Sequence, residues 1–272
     1  FCFGLFRVHY RTCSTYFWTG TKCYQITIEI KKVVKKKTNI KKRKQALTSD
    51  KKDGIILLSY EISEEPIFDK RYQSLLQAIQ DELADIHEKI FHLQYKVSDR
   101  MISRLEELVK QNPQIPKISN YLACAYQLTN SNKLFACVEE NYKKHPDYLF
   151  ARVHYARQCM DNNELEKIPE IFKEGYELKL LYPHRNRFHI SEFIAFNAIM
   201  CRYYDTIGDR QAAKVVLKAL EEIAPEHPAT KQVKRCMKET FLEKLLKKLK
   251  PFKSGKQPQQ SSDENKPSRF KA

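Results

Sequence analysis

The sequence is poor in glycine, with only six glycines in 272 residues. Glycine supplies many of the turns and bulges of sheet-rich folds, so its scarcity argues against a fold of that class. No glycine belongs to a phosphate-binding loop of the G-x-x-x-x-G-K type. The sequences G-x-S-x-G and H-E-x-x-H, which mark hydrolase nucleophiles and zinc proteases, are also missing. These absences predict a protein that is not an enzyme and that has no cofactor.

Cysteine and histidine occur without the spacing that metal sites need. None of the eight cysteines belongs to a C-x-x-C pair. His87 and His92 are five residues apart, so they do not share one helical face as zinc ligands would. We therefore expect no catalytic residue and no metal ligand. Cysteines within apolar helical pattern are typical of buried thiols in a reducing compartment, which predicts a cytoplasmic protein.

Long apolar runs are missing as well. Arg7, His9 and Arg11 interrupt the apolar stretch near the start of the chain. No run approaches the roughly 18 apolar residues that a membrane-spanning helix needs. Neither a signal peptide nor a membrane anchor is expected.

Positive charge is abundant, but it is concentrated at the two ends of the chain. The net charge is +16. Residues 1–53 hold 14 basic and 3 acidic residues, and residues 238–272 hold 10 basic and 4 acidic residues, so residues 54–237 are nearly neutral. Lysine-rich ends can bind nucleic acid or an anionic membrane. Because no base-reading motif accompanies the lysines, we expect neither as the main function.

Both ends are predicted to lack a fold. The chain begins at Phe1, its first methionine is Met101, and residues 1–53 are rich in residue types that A/T-rich codons encode. Our hypothesis is that residues 1–53 are disordered or do not belong to the native protein. Strand signals at 24–30 and 55–58 are weak. Residues 251–272, rich in Pro, Gln, Ser and Lys, are predicted to be a disordered tail.

From Asp69 onward, apolar residues recur at helical spacing almost without interruption. One long helix is predicted from Asp69 to about Val97, and a second from Ser98 or Asp99 to the residues before Pro113. These two make an N-terminal helical pair within residues 66–113. Further helices are predicted at 117–128, 132–144, 148–160, 164–179, 190–207, 210–223 and 228–250.

Prolines divide this helical region into units of similar length. Pro113, Pro146, Pro183 and Pro225 end successive second helices, at spacings of 33, 37 and 42 residues. Two helices per unit at such a period indicate a solenoid of repeats.

The units resemble tetratricopeptide repeats, whose pattern combines small and aromatic residues in two helices with a closing proline. The starting tryptophan of that pattern is absent, and a generic helical bundle or another α–α solenoid is the alternative. The last unit matches best, through Met200, Cys201, Tyr204, Gly208, Ala213, Leu217, Leu220 and Pro225. The matching residues of the first unit are Leu122, Ala123, Tyr126, Ala136 and Pro146. Those of the middle unit are Tyr155, Ala156, Asn163, Ile168, Phe172 and Gly175.

The resemblance implies an all-α fold, a right-handed α–α superhelix with repeats over 114–227 and disordered basic tails. The helix at 228–250 would cap the superhelix. This helix is basic and amphipathic, so it could instead lie on an anionic membrane or bind in a groove of a partner. In this family, ligands lie in a groove lined by the first helices. The register of the resemblance assigns to that groove Asn120, Gln127, Arg157, Asp161, Arg202 and Asp205.

Arg157 and Arg202 occupy equivalent positions one repeat apart, so the groove is expected to favour an acidic peptide. The alternative is that each arginine pairs with a nearby acid such as Asp161 or Asp205. Residues with the polarity of a chaperone-binding clamp are missing, so a chaperone C-terminus is not the expected ligand.

The linker between the middle and last units is a second candidate site. Arg185, Arg187 and His189 cluster there, and two guanidinium groups could bind phosphate or acidic side chains. The alternative is an exposed turn whose arginines pair with nearby acids. The sequence thus predicts a non-catalytic cytoplasmic scaffold for a protein or peptide partner; nucleic-acid or membrane binding through the basic ends is the alternative function.

Overall fold

The computed structural model describes residues 6–7, 10–16, 22–32, 55–66, 69–91 and 96–249. Side chains are described at 26, 58–66, 69–91 and 96–238. The chain divides into two units, Phe1–Arg235 and Cys236–Ala272. The described part of the second unit is the end of one helix, so the fold below is that of the first.

The protein is mostly helical, which confirms the predicted helical character of residues 69–249. Most predicted helices are present within a few residues of their expected bounds. The helices are α1 (Lys70–Gln73), α2 (Gln77–Phe91), α3 (Asp99–Gln111), α4 (Pro116–Leu128), α5 (Leu134–Lys144), α6 (Leu149–Asp161), α7 (Lys167–Ile171), α8 (Leu178–Leu181), α9 (Ile190–Thr206), α10 (Arg210–Ile223) and α11 (Pro228–Leu249).

A β-sheet accompanies the helices, which the all-α prediction did not include. The strands are β1 (Phe6–Arg7), β2 (Tyr10–Tyr16), β3 (Lys22–Lys32), β4 (Ile55–Ser63) and β5 (Arg187–His189). Both β1 and β2 pair antiparallel with β3, β3 pairs antiparallel with β4, and β4 pairs parallel with β5. The described residues of 1–53 are therefore strands and not disordered chain. The rest of that segment, like the predicted tail at 251–272, lies outside the described residues.

The sheet exists because it can bury one face against the helices. Tyr60 and Ile62 of β4 are at most 1% exposed, and Ile26 of β3 is fully buried. The Tyr60 ring meets Phe188 of β5 edge to face at 5.2 Å. These residues share one core cluster with α6, α9 and α10. The sequence signal was weak because the partner surface for this face comes from residues more than 100 positions away.

The four helix pairs follow one another through contacts between neighbours. α4 packs against α3 and α5, α6 against α5 and α7, and α9 against α6 and α10. The first helices also contact one another, since α4 meets both α2 and α6. The core of the first two pairs is a cluster that includes Leu83, Leu105, Leu108 and Ile118, each of them fully buried.

Local signals set several helix boundaries. The Ser98 side chain accepts a hydrogen bond from the Met101 amide at the start of α3, and Asp209 does the same for Ala212 at the start of α10. Gly208, in the turn between α9 and α10, has φ +86°, a value that favours glycine. Small residues bring the two helices of this last unit close together: Cys201 and Ala213 are both fully buried, and the Cys201 Sγ donates to the Ala213 carbonyl at 3.2 Å.

The middle unit differs from the prediction of one helix over 164–179. Two short helices, α7 and α8, replace it, and Lys173 and Glu174 between them have φ of 49° and 56°. A helix cannot continue through two left-handed residues. Gly175 then brings two backbones together, since a Cβ there would lie 3.1 Å from the Phe172 carbonyl oxygen and 3.2 Å from the Leu181 nitrogen.

Candidate functional site

Five of the six predicted groove residues lie near the C-terminal ends of three first helices. Each of the five is among the last five residues of its helix. We call this set the polar row; it consists of Gln127 on α4, Arg157 and Asp161 on α6, and Arg202 and Asp205 on α9.

Contacts within the polar row join the three helices. Arg157 Nη1 donates to Gln127 Oε1 at 3.5 Å, which links α6 to α4. Arg202 Nη2 donates to Asp161 Oδ1 at 3.0 Å, which links α9 to α6. Because the C-terminal ends of all three helices meet in this way, the helices run side by side in the same direction.

The two arginines of the row differ in how their charge is compensated. Arg202 pairs with Asp161, as the sequence-based alternative supposed. Arg157 forms no ion pair with any described side chain, and its long hydrogen bond goes to a neutral amide. The pKa of Arg157 is lowered by burial and further by the charge of Arg202, against weaker opposing effects of Cys124 and Asp161. Arg157 is thus a half-buried cation with too little negative charge around it.

Asp205 is the acid at the far end of the row, and it lies near Arg202 without pairing to it. Asp205 is half-buried and forms no ion pair with another described side chain. It follows Arg202 by three residues on α9, so both lie on the same face of that helix. The row therefore presents a cation on α6 and an anion on α9, with the Arg202–Asp161 pair between the two helices.

Asn120 does not belong with the other predicted residues. It lies near the beginning of α4, where it is only 8% exposed. Its Oδ1 atom is inaccessible and forms no hydrogen bond within the described part of the chain. Asn120 faces the interior between packed helices, so the structure does not bring it together with the other predicted groove residues.

Two further side chains in the electrostatic surroundings of Arg157, those of Cys124 and His154, are uncharged at physiological pH. Burial raises the pKa of the Cys124 thiol to about 12. Burial, followed by the charge of Arg157, lowers the pKa of His154 to about 4. At neutral pH this thiol is not ionised to the nucleophilic thiolate, and this imidazole carries no charge. Among the described residues, no group of three or more acids, histidines and cysteines could hold a metal ion.

The chain itself approaches the opposite ends of the same helices, through Glu64 and Asp69 between β4 and α1 and through Tyr72 on α1. Lys117, in the first turn of α4, places its Nζ 3.9 Å from the centre of the Tyr72 ring. His189, the N-cap of α9, places its Nε2 3.2 Å from the Glu64 carbonyl oxygen. Burial raises the pKa of Tyr148, the N-cap of α6, and the charge of Asp69 adds to this rise. This arrangement could not be predicted, because nothing local at Glu64, Glu65 and Asp69 indicates which helices they approach.

The predicted basic loop is occupied by internal partners. Arg185 donates to both carboxylate oxygens of Glu192, at 3.0 and 2.7 Å, and its guanidinium lies 4.4 Å from the centre of the Phe188 ring. Arg187 pairs with Glu61 at 3.1 Å and with Glu65 at 3.2 Å.

His189 has a capping role in the same loop. Its Nδ1 accepts a hydrogen bond from the Ser191 amide, while the Glu192 carboxylate accepts one from the His189 amide. The loop residues thus brace β5 and α9 against β4, and they match the alternative of internal ion pairs and not a free anion site.

Comparison with known proteins gives no relatives for this chain. No protein-family model, no curated protein and no solved structure shows a significant match. Within the residues that the structure describes, no helix is both long enough and apolar enough to cross a membrane.

Proposed function

We propose that this chain is a non-catalytic binding protein, a right-handed superhelix of the tetratricopeptide type, and that its polar row holds an acidic segment of a protein partner. The order of helix contacts supports the superhelix: each pair packs on the next, and α4 contacts the first helices on both sides, α2 and α6. Such an arrangement leaves one surface formed by first helices, which is where a groove would lie.

One observation carries the choice of an acidic partner, and it is the state of Arg157. A half-buried guanidinium without a carboxylate, beside the second cation Arg202, is unfavourable in the free protein. A carboxylate brought by a partner would pair with it in a partly dehydrated site, where charge-assisted hydrogen bonds are strongest. Binding proteins often carry such a locally unfavourable group because the partner compensates it.

The test is selection of a phage-displayed library of random hexapeptides on the full chain. We expect the selected peptides to share an Asp or Glu at one fixed position, and we expect Arg157→Glu to lose these peptides. Arg100→Glu is the matched control, since Arg100 is an exposed arginine on α3 away from the row. Selection of the same acidic peptides by Arg157→Glu, or of no acidic position by the unchanged protein, would contradict the proposal.

The alternative function, binding of nucleic acid or an anionic membrane through the basic ends, has no structural observation in its favour. The side chains of 239–249 and all of 250–272 lie outside the described residues, as does the lysine-rich stretch at 33–54. A cytoplasmic location and a role as a scaffold also stay predictions from the sequence. The partner and the oligomeric state are not predicted.

A further inference from the structure

Two features of the first helices limit what segment can bind to them. Tyr72 already contacts the N-terminal end of α4, and Glu64 contacts that of α9. The polar row lies at the opposite ends of these helices. A partner that binds the polar row is therefore expected to cross the helices near their C-terminal ends and not to follow them along their whole length.

The width of this surface gives the length of the segment. Packed helices lie about 8–10 Å apart, so a path from α4 across α6 to α9 covers about 16–20 Å. An extended chain advances about 3.3 Å per residue. A segment of about six residues is then sufficient to cross all three helices.

The charges along this path predict which charged residues the segment carries. Arg157 on the middle helix faces the segment with an unpaired cation, and Asp205 on the next helix faces it with an unpaired anion. Two side chains of an extended segment point to the same face when they are two positions apart, about 6.6–7 Å along the chain. This spacing is somewhat shorter than the distance of about 8–10 Å between neighbouring helices, and the long stem of a lysine or arginine side chain covers the difference.

We infer that the polar row recognises an extended segment of about six residues in which an acidic and a basic residue are two positions apart, the acid against Arg157 and the base against Asp205. This inference rests on the proposed function and adds to it the length and the charge order of the partner. Gln127 contributes an exposed amide at the α4 side, which suits a polar residue at the other end of the segment.

The experiment uses the same hexapeptide library together with a charge-reversed protein. The unchanged chain is expected to select one order of the pair, acid-x-base or base-x-acid. The double variant Arg157→Glu/Asp205→Lys is expected to select the opposite order, since each charge on the protein is inverted. Far-UV circular dichroism and a melting curve establish that the variant is folded.

A second measurement separates this inference from the proposed function. We expect Asp205→Asn to weaken the binding of a selected peptide about three- to tenfold, measured as Kd by fluorescence anisotropy. The same substitution should leave unchanged the affinity for a peptide whose basic residue is replaced by alanine. Arg100→Glu should leave both affinities unchanged. An acidic position selected without a paired base, or an unchanged order with the double variant, overturns the charge pattern while the proposed function stands.

The length is tested with a random dodecapeptide library. We expect the fixed positions to fall within about six consecutive residues. Fixed positions spread over ten or more residues would mean that Glu64 and Tyr72 give way to the partner, which would overturn the inference. Absence of any acidic position in either library contradicts the proposed function itself.

Discussion

Replacing Arg157 by methionine should make the protein more stable. Arg157 is half-buried, its guanidinium has no described carboxylate partner, and Arg202 is close enough to lower its pKa. Like charges on neighbouring helices, about 8–10 Å apart, repel by about 1 kcal/mol at an effective dielectric constant of about 40. Methionine keeps an apolar stem of similar length. The lost hydrogen bond to Gln127 is long, at 3.5 Å, and contributes at most a few tenths of a kcal/mol.

The net expectation for Arg157→Met is a gain of about 0.5–1 kcal/mol in the free energy of unfolding, or roughly 1–3 °C in melting temperature. Added salt should reduce this gain, because salt screens the repulsion in the unchanged protein. Arg202→Met is the comparison: it relieves the same repulsion but also breaks the ion pair with Asp161, so its net change should lie near zero and below the gain of Arg157→Met. The assay is thermal and urea unfolding at low and high salt. A melting temperature of Arg157→Met below that of the unchanged protein would refute the argument that this charge is uncompensated.

Two further predictions concern the fold. Gly175→Ala should lower the free energy of unfolding by about 1–3 kcal/mol, because the added Cβ would press on backbone atoms at 3.1–3.3 Å. Gly208→Ala should cost only the roughly 1 kcal/mol of its positive φ, since nothing lies within 4 Å of the added Cβ. Equal losses of stability for the two variants in thermal unfolding would contradict this prediction. Lys133 and then Tyr126 lower the pKa of Glu106 below its usual 4.5 in the folded protein, so their stabilisation is complete above about pH 4.5 and is lost as the pH falls further. Glu106→Gln should accordingly flatten the fall in melting temperature between about pH 5 and pH 3, and an unchanged slope would show that the pairing contributes nothing.

Helix positions could be predicted from the sequence because each helix carries its own signal. The apolar spacing of α3 and α10, their N-cap residues Ser98 and Asp209, and the turn at Gly208 are all local. The sheet could not be predicted in this way. Its buried face becomes favourable only when Phe188, far along the chain, covers Tyr60.

The candidate site shows the same division between local and distant information. The register of the repeats brought Arg157 and Arg202 to one surface, and the contacts with Gln127 and Asp161 agree with it. The register could not distinguish which arginine is paired, because that depends on rotamers across a helix interface. It also could not predict that Glu64 and Tyr72 contact the opposite helix ends, since nothing local to either residue indicates its partner.

A double-mutant cycle with a selected acidic peptide tests the central claim most directly. Isothermal titration calorimetry would compare the unchanged protein and Arg157→Gln, each with the peptide and with its Glu→Gln counterpart. A direct pairing of the two charges predicts a coupling energy of about 1.5–3 kcal/mol. A coupling energy below about 0.3 kcal/mol, with the peptide still bound, would mean that the carboxylate does not meet Arg157 and would contradict the account.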